Sequence, residues 1–425
     1  MASAPSLSEM PDPPTPLPPS STTASTSPAA DLPTINIGTR RSLLARIQTG
    51  IVEKALKKAH PERRYEIHAM STMGDKNQVT PLHDFGAKAL WTHELEALLL
   101  EGKLDLVVHS LKDMPTQLPP SLTIGSIFAR EDPRDALVVS PSLASTHRTL
   151  ASLPAGSIIG TSSVRRSAQL KRLYPHLRFA DVRGNVGTRL AKLDSPPPEG
   201  PHYAALILAA AGLLRLGLGE RITALLSKRD GGMLHAVGQG ALGIEIREAD
   251  DETRRILAKV GDERTARACL AERSLMRTLE GGCSVPIGVE TEWVRRSRTP
   301  AGPGAGGVGV GVMPAASYET PSGKAADAHA AAHSSSPSNP TPDGSSDENE
   351  NDDAPLTHDL TMRAIVVSLD GSEAVEAELT RPVASREAAD ELGWAVAAAL
   401  VDRGAGRILQ AINLNRAIVE AGGDA

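Results

Sequence analysis

The sequence predicts an α/β fold in which parallel strands alternate with helices. Three successive segments between residues 157 and 215 repeat one pattern, an apolar strand, then a polar turn, then a helix. Strands that alternate with helices imply a parallel sheet. Two earlier stretches, one from Thr34 and one ending at Pro115, also carry an apolar strand that ends in polar side chains. With 425 residues, the chain has room for two or three such domains.

The composition is that of a soluble globular protein. Hydrophobic residues make up 40% and charged residues 23%, whereas aromatic residues make up only 2%. The core must therefore be built from Ala, Leu, Val and Ile. The net charge is −6, and six acidic residues lie between 343 and 353, so the rest of the chain is near neutral. Overall basicity does not support nucleic-acid binding, and any anion site must come from local clusters.

The cysteines and the apolar runs predict a reduced cytoplasmic protein. Cys269 and Cys283 are the two cysteines, too few for a disulfide framework and without metal-ligand spacing. No apolar run approaches the roughly 20 residues that span a membrane. The first basic residue is Arg40, whereas a secretory or mitochondrial presequence needs earlier positive charge. The sequence predicts neither a membrane segment nor a metal site.

The first predicted element follows a tail. Residues 1–33 are rich in Pro, Ser, Thr and Ala and predict disorder. A short strand with Ile35 and Ile37 then meets a glycine turn, and Ser42 is a plausible N-cap for the helix that follows. Arg40 therefore lies at a strand's carboxyl end beside a helix N-terminus, which is the geometry of an anion site. The alternative is a solvated surface arginine.

The next strand carries the candidate catalytic group. The elements that lead to it are a strand over 65–70, a loop over 80–88, a helix over 90–100 and a strand over 104–108. This last strand ends in Ser110, Lys112 and Asp113. Ligands of parallel α/β sheets sit outside the carboxyl ends of strands. Asp113 is thus a candidate acid, base or charge stabiliser, and the alternative is a solvated ion pair with Lys112.

Arginines and small hydroxyl side chains follow each of the three repeated strands. They are Ser162, Ser163, Arg165, Arg166, Arg183, Arg189 and Arg215. Since the carboxyl ends of parallel strands meet at one edge, the five arginines are expected to converge on one cleft. Arginine binds carboxylates bidentately and stays charged. The expected ligand carries several carboxylates or phosphates.

Two glycine-rich turns come next. Gly238, Gly240 and Gly243 indicate close backbone approach, to a ligand or to another strand, and the strand after them is predicted to cross back to the first domain. A helix over 263–279 then ends in paired glycines before Cys283. Cys269 fits a buried position, whereas Cys283 is accessible and is a candidate nucleophile or attachment point.

The remainder predicts a small α+β domain. Residues 295–357 are rich in Gly, Ala, Ser and Pro and then acidic, and we expect a disordered insertion. A strand over 360–369, a turn at Asp370-Gly371, a second strand and a helix over 385–401 follow. A shorter helix near 408–414 closes the chain.

The motifs in this order resemble those of the porphobilinogen deaminase (hydroxymethylbilane synthase) family. The resemblance covers about residues 34 to 290 and rests on Gly38-Thr39-Arg40-Arg41-Ser42, Val108-His109-Ser110-Leu111-Lys112-Asp113-Met114-Pro115, Glu131-Asp132-Pro133-Arg134-Asp135-Ala136, Gly160-Thr161-Ser162-Ser163-Val164-Arg165-Arg166, Arg183-Gly184-Asn185-Val186-Gly187-Thr188-Arg189-Leu190, Ala236-Val237-Gly238-Gln239-Gly240-Ala241 and Leu279-Glu280-Gly281-Gly282-Cys283.

The resemblance implies three domains. Two are similar to periplasmic-binding-protein lobes with mainly parallel sheets, and the third is the small α+β domain with the cysteine. The implied boundaries are a tail over 1–33, domain 1 over 34–130 and 237–258, domain 2 over 131–236, and domain 3 over 259–425 with its insertion at 295–357. A monomer is expected.

The resemblance also implies the chemistry of a transferase in porphyrin and heme biosynthesis. A dipyrromethane cofactor would be attached to Cys283, four porphobilinogen units would add to it with loss of ammonia, and hydroxymethylbilane would be released. Asp113 would stabilise cationic states and help to move protons, and Gln239 and Gly240 would lie near the cofactor. The implied carboxylate-binding set is Arg40, Ser42, Lys88, Ser110, Lys112, Ser162, Ser163, Arg165, Arg166, Arg183, Arg189 and Arg215.

One loop departs from the family pattern. Asp84 stands where a lysine is often found, whereas Lys88 matches, and Trp91 stands where Phe is frequent and could stack on a pyrrole. The alternative function is a non-enzymatic two-lobed binding protein for a polyanionic metabolite. That alternative explains the arginine cleft but neither Asp113 nor the Gly-Gly-Cys loop. His109 is expected to be structural.

Overall fold

The computed structural model describes residues 33–72, 92–196, 198–279, 285–294 and 359–412. Within these residues there are two five-stranded sheets and one three-stranded sheet. Several predictions concern residues outside this part of the chain. They are the tail up to residue 32, the loop over 80–88 with Asp84 and Lys88, Trp91, Cys283 and the insertion over 295–357.

The first sheet is assembled from two separate parts of the chain. In spatial order its strands are β2 (Arg64–Met70), β1 (Thr34–Arg40), β3 (Leu106–Ser110), β10 (Leu242–Arg247) and β4 (Leu122–Ile127). β1 pairs in parallel with β2 and β3, whereas β10 is antiparallel to both of its neighbours. Four strands therefore run one way and β10 runs the other.

The second sheet repeats this arrangement. In spatial order its strands are β7 (Arg178–Ala180), β6 (Ile158–Gly160), β8 (Tyr203–Ala209), β5 (Asp135–Val139) and β9 (Ala224–Leu226). β5 alone is reversed. In each sheet the reversed strand is the first one after the chain crosses from the other sheet. The prediction of mainly parallel sheets is confirmed, with one antiparallel strand in each.

Helices follow the strands as the sequence patterns predict. Among the described residues they include α1 (Leu43–Ala59), α2 (His93–Leu100), α3 (Val164–Leu173), α4 (Val186–Asp194), α5 (Ala210–Arg215), α6 (Asp251–Leu257), α7 (Glu263–Thr278) and α8 (Arg386–Asp402). Ser42 is the N-cap of α1, as predicted, and its Oγ accepts the N–H of Ala45. Ser163 and Asn185 cap α3 and α4 in the same way.

The third sheet is small and antiparallel, in the order β11 (Ile287–Val294), β12 (Asp359–Val367) and β13 (Ala374–Pro382). It shares an apolar core with α7 and α8. The two helices touch closely at Gly393, where a Cβ would lie 2.0 Å from the carbonyl oxygen of Ala271. The predicted strand, turn, strand and helix are confirmed, and residues 405–412 are helical as well.

A buried ion pair joins this third unit to the segments that cross between the two larger sheets. Arg130 donates through Nη1 to Glu272 Oε1 (2.6 Å) and through Nη2 to Oε2 (2.9 Å). Glu272 also accepts the main-chain N–H of Gly238 (2.8 Å) and the hydroxyl of Thr291 (2.7 Å). The two crossing segments and β11 are thus held against the carboxylate of Glu272 on α7.

Candidate active site

The first part of the site is the edge where β1 and β3 end. Because β1 and β3 are parallel neighbours, Arg40, Ser42 and Ser110 lie at the same edge of the sheet. Ser42 Oγ caps α1, and Gln48 on that helix donates to Ser110 Oγ (2.9 Å). Arg40 is half-buried.

A short 3₁₀ turn over Leu111–Asp113 follows β3 and carries the candidate catalytic carboxylate. Buried Leu111 anchors the turn, because its main-chain N–H donates to the carbonyl of Ala241 (3.0 Å). Lys112 and Asp113 are half-buried at the edge. Burial lowers the pKa of Lys112 to about 8, an effect that the charge of Asp113 opposes and that of Arg166 reinforces.

Two of the predicted arginines are buried around a carboxylate of the chain itself. Arg165 Nη1 lies 2.8 Å from Asp135 Oδ2, and Arg166 donates to Asp135 Oδ1 through Nε (3.0 Å) and Nη2 (2.6 Å). Each arginine also donates to a main-chain carbonyl. Burial alone would raise the pKa of Asp135, but the two guanidinium groups outweigh it and hold the pKa well below its usual range.

Arg183 and Arg189 lie on the loop and the helix that follow β7. Both are half-buried, and Arg189 Nε donates to the carbonyl of Gly184 (2.7 Å). Burial lowers the pKa of Arg189 to about 10, and the positive charges of Arg166 and Arg183 add to this effect. The negative charge of Asp113 opposes this lowering of the Arg189 pKa.

Arg215, at the end of α5, reaches the crossing segment that precedes β10. Its Nη2 donates to the carbonyl of Gly240 (2.7 Å), and burial lowers its pKa. Gly240 has a φ of +88°, and a Cβ there would lie 2.2 Å from the carbonyl oxygen of Glu131. Glycine is therefore required. The predicted close backbone approach is confirmed: the crossing segment with Gly240 lies against the other crossing segment, at Glu131.

Gln239 lies at the centre of these groups and is almost fully buried. Its Nε2 donates to the Pro133 carbonyl (2.7 Å) and to Asp135 Oδ1 (3.0 Å), and its Oε1 accepts from Lys112 Nζ (3.3 Å). Gln239 thus links the Asp135 cluster to the turn that carries Asp113.

The remaining predicted residues divide into three groups. Ser162 and Ser163 lie at the end of β6, where Ser162 Oγ exchanges hydrogen bonds with Val182 and Ser163 caps α3. Lys88 and Cys283 lie outside the described residues. His109 is buried, with Nε2 3.0 Å from Glu245 Oε2, which agrees with its structural assignment.

Sequence reasoning assigned no role to Asp135 or Gln48. Asp135 is the first residue of β5, and its partners Arg165 and Arg166 lie about thirty residues further along the chain. The available signal was an acidic residue at the start of a strand otherwise made of apolar residues. Gln48 is a polar residue on the buried face of α1, which is a comparable signal.

Two features are absent from the described residues. No three His, Cys, Asp or Glu side chains there form a group that could hold a metal ion. Nor does that part of the chain contain a helix long and apolar enough to cross a membrane. Cys269 is fully buried, as predicted, and burial raises the pKa of its thiol to about 12.

The fold and the site together define a class of protein, an α/β protein with arginines and a lysine clustered at the ends of its strands. A family model, porphobilinogen deaminase, dipyromethane cofactor binding domain, matches residues 35–255, and the model of the C-terminal domain of the same enzyme matches residues 266–297. The chain belongs to the porphobilinogen deaminase family, whose enzymes are hydroxymethylbilane synthases. The alternative of a non-enzymatic binding protein is not favoured.

Curated relatives agree over most of the chain. The porphobilinogen deaminase of Yarrowia lipolytica is 47% identical over 91% of this chain and 95% of its own length. That of Saccharomyces cerevisiae is 42% identical over 90% and 98%, and that of Nostoc sp. is 51% identical over 61% and 77%. Among solved structures, the aliphatic sulphonate binding protein SsuA of Escherichia coli covers 58% of this chain and 70% of its own at 13% identity, with a TM-score of 0.30. That likeness carries no functional argument.

Dipyrromethane is the cofactor of this family, and the described residues fit it. Each of its pyrrole rings carries two carboxylates. Lys112, Arg189 and Arg215 all have pKa values lowered by burial, so each is a cation that an incoming carboxylate would stabilise. Asp113 is the one carboxylate that the predicted site set contains. A cleft of this composition suits a polycarboxylate better than a neutral ligand.

Proposed function

We propose that Asp113 is the catalytic residue of the deaminase reaction and that Cys283 carries the dipyrromethane. The single observation that supports the proposal is the 3₁₀ turn that holds Asp113 at the edge where β3 ends, linked through Lys112 and Gln239 to the Asp135 cluster. The bound cofactor supplies the primer onto which porphobilinogen is added. An anion at this edge stabilises positive charge that develops on a pyrrole as ammonia departs.

The cationic residues bind and orient the acetate and propionate side chains. Arg183, Arg189 and Arg215 are the half-buried members, and they act directly on carboxylates together with Arg40 and Lys88. Ser42, Ser110, Ser162 and Ser163 add hydroxyl groups at the strand ends. Arg165 and Arg166 retain donors beyond those bound to Asp135, since each guanidinium has five N–H groups.

The proposal includes the domain division predicted from the sequence. The two sheets with one reversed strand each support two lobes over 34–130 with 237–258 and over 131–236, and the three-stranded sheet supports a third domain over 259–425. We further propose a cytoplasmic monomer that binds neither nucleic acid nor membrane. The near-neutral charge outside the acidic run and the reduced, buried Cys269 support this.

The intact mass of the purified chain tests the attachment. The wild-type protein is expected to carry the mass of two extra pyrrole rings, and Cys283→Ser is expected to have the bare chain mass and no activity. Cys269→Ala is the matched control, because Cys269 is fully buried and its variant should keep the added mass. A wild-type protein of bare mass that does not turn over porphobilinogen would refute the proposal.

Asp113→Asn tests the role of the carboxylate, because it keeps the shape and removes the charge. We expect the variant to fold, to keep the cofactor mass and the substrate affinity, and to lose turnover by at least about 100-fold. Steady-state kinetics with porphobilinogen measures this. Turnover close to wild type would mean that another group stabilises the cation.

A further inference from the structure

Arg273 is a buried arginine that binds one short stretch of backbone. It lies on α7 and is 3% exposed. Its Nη2 donates to the carbonyl oxygens of Pro115 (2.6 Å) and Thr116 (3.2 Å), and its Nη1 donates to that of Met114 (3.5 Å). Among the described residues, these three carbonyl groups are its hydrogen-bond acceptors, and none of them is a carboxylate. The bound stretch begins directly after Asp113.

This stretch needs a partner from elsewhere in the molecule. Residues 114–116 belong to neither a helix nor a strand, and Pro115 has no N–H to donate. A guanidinium group offers five donors in a rigid plane, so a single arginine can bind several adjacent carbonyl groups. The arrangement has a cost, because burial lowers the pKa of Arg273 to about 10. The hydrogen bonds to the backbone are what the chain gains from burying this charge.

Asp113 is therefore anchored on both sides. Before it, the N–H of Leu111 donates to the carbonyl of Ala241 (3.0 Å). After it, Arg273 binds the three carbonyl groups. Leu111 and Met114 also share an apolar cluster with Cys269 on α7. The Asp113 turn is thus held between the segment that precedes β10 and the helix α7.

The helix that holds the turn also leads to the cysteine. α7 ends at Thr278, and Cys283 follows it closely in the sequence. The same helix therefore binds the backbone next to the candidate catalytic carboxylate and precedes the candidate attachment point of the cofactor. A side chain on α7 is well placed to fix the one relative to the other.

We propose that Arg273 is a positioning residue of the deaminase reaction, which fixes Asp113 relative to the cofactor by binding the backbone that follows this carboxylate. The inference rests on the proposed function and deepens it, because it names the group that holds the catalytic residue in place. Stabilising a cation in the transition state depends on where the anion lies, and a misplacement of about 1 Å can reduce the rate on the order of 100-fold. Arg273 acts only through Asp113.

Arg273→Met tests the proposal, because it keeps an apolar stem and removes the donors. We expect kcat per cofactor-loaded molecule to fall by about 10- to 100-fold. KM for porphobilinogen should stay unchanged, since the half-buried arginines that bind carboxylates are Arg183, Arg189 and Arg215 of the second sheet. A purely structural role would reduce the amount of loaded enzyme but not its kcat. Arg273→Lys keeps the charge and some donors, so it should fold readily and show a smaller loss of kcat.

A double-mutant cycle shows whether Arg273 acts through Asp113. In the Asp113→Asn background, Arg273→Met should reduce kcat little further, because the charge that it positions is already gone. Arg267→Met is the matched control. Arg267 also lies on α7 and also donates to a main-chain carbonyl, that of Val383 (3.3 Å), but this acceptor precedes α8 in the third unit. Its variant should keep wild-type kcat per loaded molecule.

Two results would overturn the inference. One is wild-type kcat per loaded molecule in both Arg273 variants. The other is a double mutant in which the losses of Arg273→Met and Asp113→Asn multiply in full, since Arg273 would then act independently of the carboxylate. The proposed function fails separately, when the wild-type chain lacks the mass of the cofactor or Asp113→Asn turns over normally.

Discussion

Asp135 and Glu272 are both buried carboxylates that bind arginine, but their surroundings differ in charge. Asp135 is shared by Arg165 and Arg166, so the cluster holds one more positive than negative charge. Glu272 binds Arg130 bidentately, and neutral donors, the N–H of Gly238 and the hydroxyl of Thr291, complete its hydrogen bonds. Its charge is balanced.

The difference separates a functional cluster from a structural one. The excess positive charge around Asp135 lies next to Lys112, and it contributes to the lowered pKa of that lysine. The balanced pair of Glu272 and Arg130 joins α7 to the crossing segments. In this molecule, an unbalanced buried charge marks the site, and a balanced one marks a joint between units.

Asp135→Asn is expected to have the largest effect. It leaves two buried guanidinium groups without a counter-ion, so the free energy of unfolding should fall by about 3–5 kcal/mol. Urea denaturation at neutral pH measures this loss. If the variant is as stable as the wild type, the burial of Arg165 and Arg166 does not require the negative charge of Asp135. The contrast with Glu272 then disappears.

Glu272→Gln is expected to cost less, about 3 kcal/mol, because the amide still accepts one hydrogen bond and Arg130 keeps its bond to Gln239. Burial raises the pKa of Glu272, but Arg130, His235 and the hydrogen bonds outweigh it, so the net pKa is lowered. The stabilisation is therefore present above the pKa of the unfolded chain and is lost as the pH falls. Urea denaturation of both proteins at several pH values should show the difference shrinking toward acidic pH, whereas kcat per cofactor-loaded molecule should stay unchanged.

Glu96→Gln should have the smallest effect and the opposite sign. Glu96 on α2 is buried without an arginine partner, and burial and the charge of Glu245 raise its pKa. The folded chain therefore holds a proton that the unfolded chain releases, so stability falls as the pH rises above the unfolded pKa. Glutamine removes this dependence, and thermal unfolding should show the variant gaining stability relative to wild type at mildly alkaline pH. A gain at acidic pH instead would contradict this sign.

The positions of the site residues were predictable, whereas their partners were not. An apolar strand followed by a polar turn is a local pattern, so the sequence alone indicated that Arg40, Asp113 and Arg183 lie at strand ends. The N-cap at Ser42 is local in the same sense. The direction of β5 and β10 is not local, because it depends on which sheet receives the strand after each crossing.

Contacts between distant residues explain what sequence reasoning missed. Arg130 and Glu272 are 142 positions apart, and Lys112 and Gln239 are 127 apart. No periodicity or motif spacing specifies which buried acid meets which arginine over such distances. In the sequence, Arg165 and Arg166 resembled ligand-binding groups. Asp135, which pairs with both of them, lies on another strand, so this pairing could not be predicted.

The reversed strand β10 also determines when the site can form as the chain folds. β3 carries the Asp113 turn at its end, yet its partner β10 lies so far along the chain that His109 and Glu245 are 136 positions apart. Closing so long a loop has an entropic cost that must be met before the pairing stabilises anything, so such contacts form slowly. Until residue 247 has left the ribosome, β3 is an open edge of an incomplete sheet. The second sheet, built from 135–226 without interruption, can be complete by then, so we expect the Asp113 turn to become ordered after the second sheet.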